Sequence, residues 1–591
     1  MRLALIQCNP TVGDLRANAA MILARAKEAA DQEADLIVTP ELAITGYPPR
    51  DLITQEGFVD DARQALLKIA AEMPKRVTLV VGTPWRAHPD AGPSDYDPDE
   101  RPTNSLVVLR KRKIIARYQK RLLPSYDVFD EDRYFRPGND PVVIEVGGIR
   151  VGLSICEDLW RADDVDADGN RPFRNNRYRN REDPVTDLVD LGAQLILNPS
   201  ASPFVLGKGM RQRKIIAGHI KRHNIAIAAV NQVGGNDDLV FDGHSAVFIP
   251  SEDGAQLIAA ADGFTEQTLI VKLKKPEKNW SKRDELPDPI RESDPMSLLW
   301  RALVLGVRDY AHKCGFKSAL LGISGGIDSA VTAAIAAAAL RPENVLGVLM
   351  PSRYSSDHSV ADAQVLADAL KINSITIPIS QAHEAMEQTI APAFAQLGWD
   401  EPSGLTEENL QSRLRGVITM ALSNKGSGLL LTTGNKSELA VGYCTLYGDM
   451  NGGLAVLSDV TKVQVYKLAR WLNDNHAEAG FDAPPIPVNS IEKPPSAELR
   501  PNQRDQDSLP EYEVLDEIVE RYVEHRQHPS RIIDETGIDW ETVARIVRLI
   551  DLNEYKRKQM PIGLKVSSVA FGRGRRRPLA QGYRPEQSHD G

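Results

Sequence analysis

Only four cysteines occur in 591 residues, and no two of them stand in a Cys-x-x-Cys pair. Cys8, Cys156, Cys314 and Cys444 are widely spaced, which excludes a disulfide framework or a zinc ribbon and points to a reducing compartment. Positive charge is not in excess either: 71 basic residues against 81 acidic ones leave a net charge of −10. No global field therefore draws the chain to nucleic acid. The longest apolar run, "AVTAAIAAAAL" at 330–340, falls short of a membrane span. The opening "MRLALIQCNPTVGD" lacks the apolar core of a signal peptide and reads as a strand. A cytoplasmic protein is expected, with no nucleic-acid or membrane partner. Internal repeats and low-complexity tracts are missing too, and the one basic run, Arg573-Gly574-Arg575-Arg576-Arg577, reads as a solvated tail or a subunit contact.

What is present is an α/β pattern, written twice. The length suggests roughly two to four domains, and 42% hydrophobic with 26% charged residues is ordinary globular composition. Over the first 270 residues, short apolar runs such as "LALIQ", "DLIVTPE", "VTLVVGTP", "NSLVVL", "VGLSICEDLW", "QLILNPS", "IAIAAVNQ" and "SAVFIP" read as buried strands. Helical patterns such as 18–31 lie between some of them, so a layered α/β domain is expected over 1–271. Residues 272–295, charged and proline-bearing, read as a linker. A second alternation fills 296–591: a helix over 296–314, strand "SALLGIS", an alanine-rich helix, strand "VLGVLMPS", a helix, strand "SITIPIS", and later strand "GLLLTTGN" with another helix. That is the pattern of an open parallel sheet, whose ligands sit beyond the carboxyl ends of the strands. The segment 511–559 is helical in pattern and reads as a C-terminal extension.

In that second half a glycine turn raises a question of chemistry. Turns that hold triphosphates usually end in Gly-Lys-Ser/Thr, the lysine reaching the outer phosphates. Here the turn runs Gly322-Ile323-Ser324-Gly325-Gly326-Ile327-Asp328-Ser329, with no lysine. Glycines let the backbone approach an anion, and the helix that follows presents unpaired amides and a positive dipole. Ser324 and Ser329 add hydroxyls. Asp328 would repel phosphate directly, so it reads as a Mg²⁺ ligand.

The turn resembles the pyrophosphate-binding loop of the N-type ATP pyrophosphatases, which make AMP and pyrophosphate from ATP. The stretch "LTTGNKSELAVGYCTLYGDMNGGLAVLSDVTKVQVYKLA" resembles the NAD synthetases of that group. The resemblance implies that Glu438 is the second Mg²⁺ ligand and contacts deamido-NAD⁺, that Thr433 lies at ATP, and that Asn409, with Arg413 beside it in "EENLQSRLRG", lies at the dinucleotide. It further implies that Lys493, in "EKPPSAELRPNQRDQDSLPEYEVLD", reaches phosphates from a mobile loop, and that Lys556 in "NEYKRKQMP" contacts deamido-NAD⁺.

The first half resembles the nitrilase (carbon–nitrogen hydrolase) superfamily in three regions in order: "LIVTPELAITGYPPRDL", "YQKRLLPSYDVFDEDRYFRPG" and "ICEDLW". Carried over, Glu41 is the general base, Lys120 the oxyanion partner and Cys156 the nucleophile, with Glu131 a second carboxylate beside the lysine. The chemistry needs these types: a thiol must lose its proton to attack an amide, and a fixed ammonium steadies the oxyanion. The resemblance also places Tyr126, Phe129, Ser202 and Lys208 around a glutamine.

Taken together, the two resemblances imply a nitrilase-like α-β-β-α domain fused to a Rossmann-like ATP pyrophosphatase domain. The implied reaction is amidation of deamido-NAD⁺ to NAD⁺ through an adenylated nicotinate. Ammonia comes from L-glutamine by an internal tunnel, and ATP and Mg²⁺ are required. Homo-oligomers, octamers among them, are implied as well. Two other readings stay open at this stage: an adenylating amide ligase for a different acid, and an amidase fused to a nucleotide-binding regulatory module.

Overall fold

The computed structural model describes residues 1–86, 101–160, 183–252, 254–274, 280, 286–399, 404–496, 498–500, 503 and 505–586. The chain divides into two compact units, Met1–Ser293 and Asp294–Gly591.

In the first unit two six-stranded sheets face each other. One runs, in spatial order, Gln267–Lys272, Arg2–Gln7, Leu36–Val38, Thr78–Trp85, Thr103–Arg110 and Lys113–Gln119. The other runs Gly254–Ala260, Ala246–Ser251, Ala226–Asn231, Leu195–Ser200, Ile149–Leu153 and Val143–Val146. The alternation of side chains explains why these strands read as continuous apolar runs. In Arg2–Gln7, Leu3 and Leu5 point into the core between the sheets, against residues such as Val151, Leu153 and Leu197. Ala4 and Ile6 point the other way, under helices Leu15–Asp31 and Phe58–Glu72. Helices Pro184–Asp190 and Lys208–His223 cover the second sheet's outer face. The inner strands are buried on both faces, so alternation brings few polar residues to the surface there. The layering is α-β-β-α.

One strand of the first sheet is not among the apolar runs. The basic stretch around Lys113 is an edge strand, half exposed, whose lysine and arginine side chains border solvent. Charge on an open edge discourages pairing with another chain.

The second unit is built on six parallel strands in the order Asn373–Thr376, Val345–Leu349, Ala319–Gly322, Leu429–Thr432, Leu454–Ala455 and Ile562–Gly563. From Ala319–Gly322 the chain first winds outward on one side, then returns to pair Leu429–Thr432 on the other. The order reverses there, and the crevice beyond those two strand ends is where such sheets bind ligands. The alanine-rich helix is Ile327–Leu340, buried almost throughout, and it packs with Pro295–Lys313 and Lys462–Asp474. Helices Tyr512–Val519, Pro529–Thr536 and Trp540–Leu552 form a separate apolar cluster with the 439–450 region.

The linker reading of 272–295 meets structure at both ends. Lys272 closes a sheet strand, and Pro289–Glu292 is a helical turn tied back to the first unit by an Arg213–Asp288 ion pair of 3.4 Å. Residues 275–279 and 281–285 lie outside the described residues. The basic run near the C-terminus is not a solvated tail. Arg575 pairs with Glu554 at 3.1 Å, and Arg577 with Asp551 at 3.0 Å, because two buried carboxylates on the preceding helices need counter-charge.

Candidate active sites

The first site forms where three strand ends of the first unit converge. Glu41 follows strand Leu36–Val38, and its backbone is pressed against the neighbouring strand at Gly82. A Cβ on Gly82 would lie 2.3 Å from the Pro40 carbonyl oxygen, so only glycine admits the turn that carries Glu41. Lys120 ends the edge strand, its amide bonded to the Asn104 carbonyl at 2.8 Å. Cys156 opens the short helical turn Cys156–Leu159 with φ of +43°. A non-glycine residue there is strained, and the surrounding contacts must hold it.

Asp158 supplies them. Its fully buried carboxylate accepts from the Ile155 amide at 2.9 Å, the Arg121 and Leu122 amides at 3.1 and 2.9 Å, and the Tyr118 hydroxyl at 2.7 Å. One side chain thereby locks the nucleophile turn to the segment that carries Lys120. On the other side, Asn198 donates to Ser154 Oγ at 3.0 Å and to the Cys156 carbonyl at 3.4 Å.

Lys120 Nζ donates to Glu41 Oε1 and Glu131 Oε1, both at 2.7 Å, and all three side chains are essentially buried. Asn104 Nδ2 donates to Glu41 at 2.7 Å, the Ala201 amide reaches Glu41 Oε2 at 2.9 Å, and Tyr47 donates to Glu131 at 2.9 Å. Counting donors and lone pairs shows what remains. Glu41 Oε1 takes two donors and Oε2 one, leaving a lone pair for a proton. Lys120 uses two of its three N–H groups on carboxylates, leaving one.

The charges obey the same accounting. Two buried carboxylates share one buried ammonium. Burial first, and then the Glu131 and Glu41 charges, act on Lys120 in opposite directions, and the carboxylates win: its pKa lies well above the ordinary lysine value. Glu131 is pushed up to about 7, by burial above all, with Glu41 adding to it and Lys120 opposing. Burial and the Glu41 charge raise the Cys156 thiol well above its usual range, against the pull of Lys120. The resting nucleophile is a thiol.

Tyr126, Phe129, Ser202 and Lys208 gather beside this cluster. Tyr126 hydrogen-bonds Glu157, the buried neighbour of the nucleophile, and stacks edge-on with Phe129 at 5.3 Å. Lys208 lies 5.9 Å from the Phe129 ring centre and donates to the Pro203 carbonyl at 3.2 Å. Ser202 is held by its backbone, its amide bonding Asn231 at 2.9 Å. Burial raises the Glu157 carboxyl, while Tyr126, Lys120 and Lys208 pull it down. Asn104, Tyr47, Glu157 and Asp158 were absent from the sequence reading. Two of them stand in its own quoted "ICEDLW", where consecutive acids at an apolar strand end are the available signal.

The second site lies at the crevice of the parallel sheet. After strand Ala319–Gly322 the turn closes on itself: Ser324 Oγ and Ser329 Oγ are 3.1 Å apart, the Ser324 amide donates to Ser329 Oγ, and the Gly326 amide to Ser324 Oγ at 3.2 Å. Gly325 has φ of +78°, and a Cβ there would lie 2.3 Å from the Ser359 carbonyl oxygen. Beyond the next strand, Asn435 caps helix Lys436–Val441 and closes a reciprocal box with Glu438. Asn435 Nδ2 also donates to Asp328 Oδ1 at 2.9 Å. Lys462 pairs with Asp328 and lies 3.4 Å from Glu438. Thus the two switch-point loops meet at Asp328, Glu438, Asn435 and Lys462, and Thr433 precedes the cap, half buried.

This cluster is short of positive charge. Burial, then the Asp328 charge, pushes the Glu438 carboxyl up to about 8, with Lys462 pulling it down. Two half-buried carboxylates on one ammonium, facing a phosphate-type turn, fit a hard divalent cation, which needs only one or two protein carboxylates besides phosphate oxygens.

The other expected contacts sit around the same unit. Asn409 accepts from Thr445 Oγ1 at 3.0 Å, and Arg413 is exposed, bonded to the Leu446 carbonyl at 3.2 Å. Lys493 bonds Ser359 and lies 3.1 Å from Glu498. Lys556 donates to the Gly442 and Cys444 carbonyls, both at 2.7 Å, so in this state it satisfies the end of helix Lys436–Val441.

Comparison with known proteins finds a match for both halves of the chain. Residues 299–560 match the NAD synthase family model and residues 2–164 the carbon-nitrogen hydrolase model. A glutamine-dependent NAD(+) synthetase of Synechocystis is 46% identical over 588 residues, covering 99% of this chain and all of that one. The chain belongs to the glutamine-dependent NAD(+) synthetases. The enzyme of that name from Thermotoga maritima is 39% identical over 615 residues, covering 99% of both chains. Among solved structures, the Acinetobacter baumannii family member in complex with ADP superposes with a TM-score of 0.73 at 35% identity, covering 99% of both chains. Both family models thus match on this one polypeptide. Among the described residues no helix is long and apolar enough to cross a membrane.

Proposed function

We propose that the chain amidates deamido-NAD⁺ to NAD⁺ with ATP, using ammonia released from L-glutamine in its own first unit. The observation that carries the reading is the pairing of a Glu41–Lys120–Cys156 cluster with an Asp328–Glu438–Lys462 cluster on one polypeptide.

In the first unit the Cys156 thiol gives its proton to the free lone pair on Glu41 as the sulfur attacks the glutamine amide carbon. The remaining N–H of Lys120 steadies the oxyanion, and its charge costs no reorganisation because Glu41 and Glu131 already hold it in place. Glu41 returns the proton to the leaving nitrogen, which departs as ammonia, and water releases glutamate from the Cys156 thioester. Glu157, on the nucleophile's own turn, supplies an anionic partner for the substrate's ammonium group, and Lys208 a cationic one for its carboxylate.

In the second unit the Ser324–Ser329 turn grips the pyrophosphate end of ATP with its amides and hydroxyls. Asp328 and Glu438 would hold Mg²⁺, which supplies the charge that stabilises departing pyrophosphate. Lys462 offers a fixed ammonium to the phosphates. The nicotinate carboxylate attacks the α-phosphorus, and ammonia then displaces AMP from the acyl-adenylate.

NAD⁺ formation from deamido-NAD⁺, ATP and Mg²⁺ tests this, with glutamine or ammonium as nitrogen source. Cys156→Ala is expected to lose glutamine-driven synthesis and keep ammonium-driven synthesis. Failure of the wild type with both nitrogen sources would refute the reading.

A further inference from the structure

Beside the Ser-Gly-Gly turn lies a group of donors that the reaction above leaves unused. Ser359 sits at the N-terminal end of helix Asp357–Leu370, and its carbonyl is the backbone that Gly325 meets. Helix Val488–Glu492 packs on the same turn, Ser490 Oγ donating to the Gly325 carbonyl at 3.0 Å. Between them stands the carboxylate of Glu498. Its Oε1 accepts from Ser359 Oγ at 2.6 Å, Ser356 Oγ at 3.2 Å and Lys493 Nζ at 3.1 Å, and its Oε2 accepts from the Ser356 amide at 3.4 Å. Three side-chain donors and a helix-terminal amide on one anion are the donor set that phosphate uses. Glu498 reaches it from a backbone with φ of +48°.

Arg415 points to the same place. Its Nε donates to the Met350 carbonyl at 3.1 Å, at the carboxyl end of strand Val345–Leu349. Its terminal nitrogens make no hydrogen bond or ion pair among the described residues. Burial brings the guanidinium down to about 10, with Glu498 and then Asp449 the charges that pull it back up. An arginine with its fork unused is held ready for an anion. Met350 follows the strand that pairs with Ala319–Gly322, so Arg415 stands at the same carboxyl edge of the sheet as the Ser-Gly-Gly turn.

We propose that Ser356, Ser359, Lys493 and Arg415 form a phosphate site adjoining the Ser-Gly-Gly turn, and that Glu498 occupies it as an internal stand-in until the nucleotide arrives. The proposal rests on the ATP-dependent reading above. When a phosphate enters, the Glu498 side chain leaves, and Lys493 exchanges one anion for another. Because binding must first displace an anion of the chain itself, Glu498 weakens ATP and sets a threshold concentration for the synthetase reaction.

The test is calorimetric titration of inorganic pyrophosphate, without ATP, into the full-length wild type, Glu498→Gln and Arg415→Met. Glu498→Gln keeps the shape and removes the competing charge, so pyrophosphate should bind about tenfold tighter, whereas Arg415→Met should bind it about tenfold more weakly. The Michaelis constant for ATP in ammonium-driven synthesis should move in the same two directions. The melting transition of the second unit, measured on the same samples, should stay at the wild-type temperature and certifies its fold. Wild-type pyrophosphate affinity in either variant overturns the proposal. A wild type that binds pyrophosphate yet makes no NAD⁺ overturns the ATP-dependent reading instead, so the two failures remain distinguishable.

Discussion

At the scale of single residues, the first site is a problem in sharing one positive charge. Lys120 cannot neutralise both Glu41 and Glu131, so the trio carries an extra proton near neutrality that belongs to the cluster rather than to one oxygen. Glu131 is the group raised, to about 7 from 4.5. Below pH 4.5 both folded and unfolded chains hold this proton. As pH rises from there to about 7, the unfolded chain loses it while the folded chain keeps it, so stability falls across that window. Glu131→Gln removes the titration. Melting temperatures between pH 5 and 7.5 should decline less steeply in the variant than in the wild type, and parallel declines would show that Glu131 does not titrate there. The motifs put Glu41, Lys120 and Cys156 on the page because their neighbours are distinctive. Asn104, Tyr47 and Asp158 could not be read that way: an asparagine in an apolar strand or a tyrosine in a turn has many ordinary uses. Only the meeting of strand ends 104, 120 and 41 shows which use applies.

At the scale of elements, the strands were legible where both faces are buried and hidden where one is not. "LALI" within Arg2–Gln7 is apolar throughout because a second sheet covers one face and helices the other, and "LLL" within Leu429–Thr432 is likewise fully buried. Strand Lys113–Gln119 hid behind its charges because it is an edge. The anchoring of the Glu438 helix was equally invisible, since it depends on residues 23, 88 and 131 positions away. Lys436 Nζ, fully buried, pairs with Asp459 at 2.9 Å and Glu524 at 2.7 Å and bonds Ser567 Oγ at 2.7 Å. Asp459 in turn accepts from the Val566 and Ser567 amides, each at 2.7 Å. Removing the cation strands two carboxylates in the interior, at a cost of about 3–5 kcal/mol. Lys436→Met is therefore expected to destabilise the second unit and depress ammonium-driven synthesis while glutamine hydrolysis persists. Full synthesis in the variant would show that the network does not position the site.

At the scale of the whole molecule, the two reactions have separate machinery on separate compact units. A change confined to one should leave the other's chemistry in place. Asp328→Asn is the counterpart of Cys156→Ala: NAD⁺ formation should fall at least about a hundredfold with either nitrogen source, because a carboxylate that would hold the Mg²⁺ charge against departing pyrophosphate is lost. Glutaminase turnover should continue, and glutamate release measured beside NAD⁺ formation checks both halves at once. Loss of both activities would show that glutamine hydrolysis depends on an intact synthetase centre. The two-half organisation was readable from the twice-repeated alternation of strands and helices. The closing of the second sheet by Ile562–Gly563 was not, because a two-residue strand carries no periodicity.

That last strand has a consequence for how the protein is born. The glutaminase half emerges first and holds everything its own centre needs before residue 294 is made. The synthetase half cannot finish until Ile562–Gly563 has joined its sheet and residues 566–569 have reached Asp459, Glu524 and Lys436. A message cut short just after "NEYKRKQMP" would specify every motif named above, yet its product would break down glutamine with no completed centre to receive the nitrogen. For the cell, the final thirty or so codons decide between an amidating enzyme and a wasteful one.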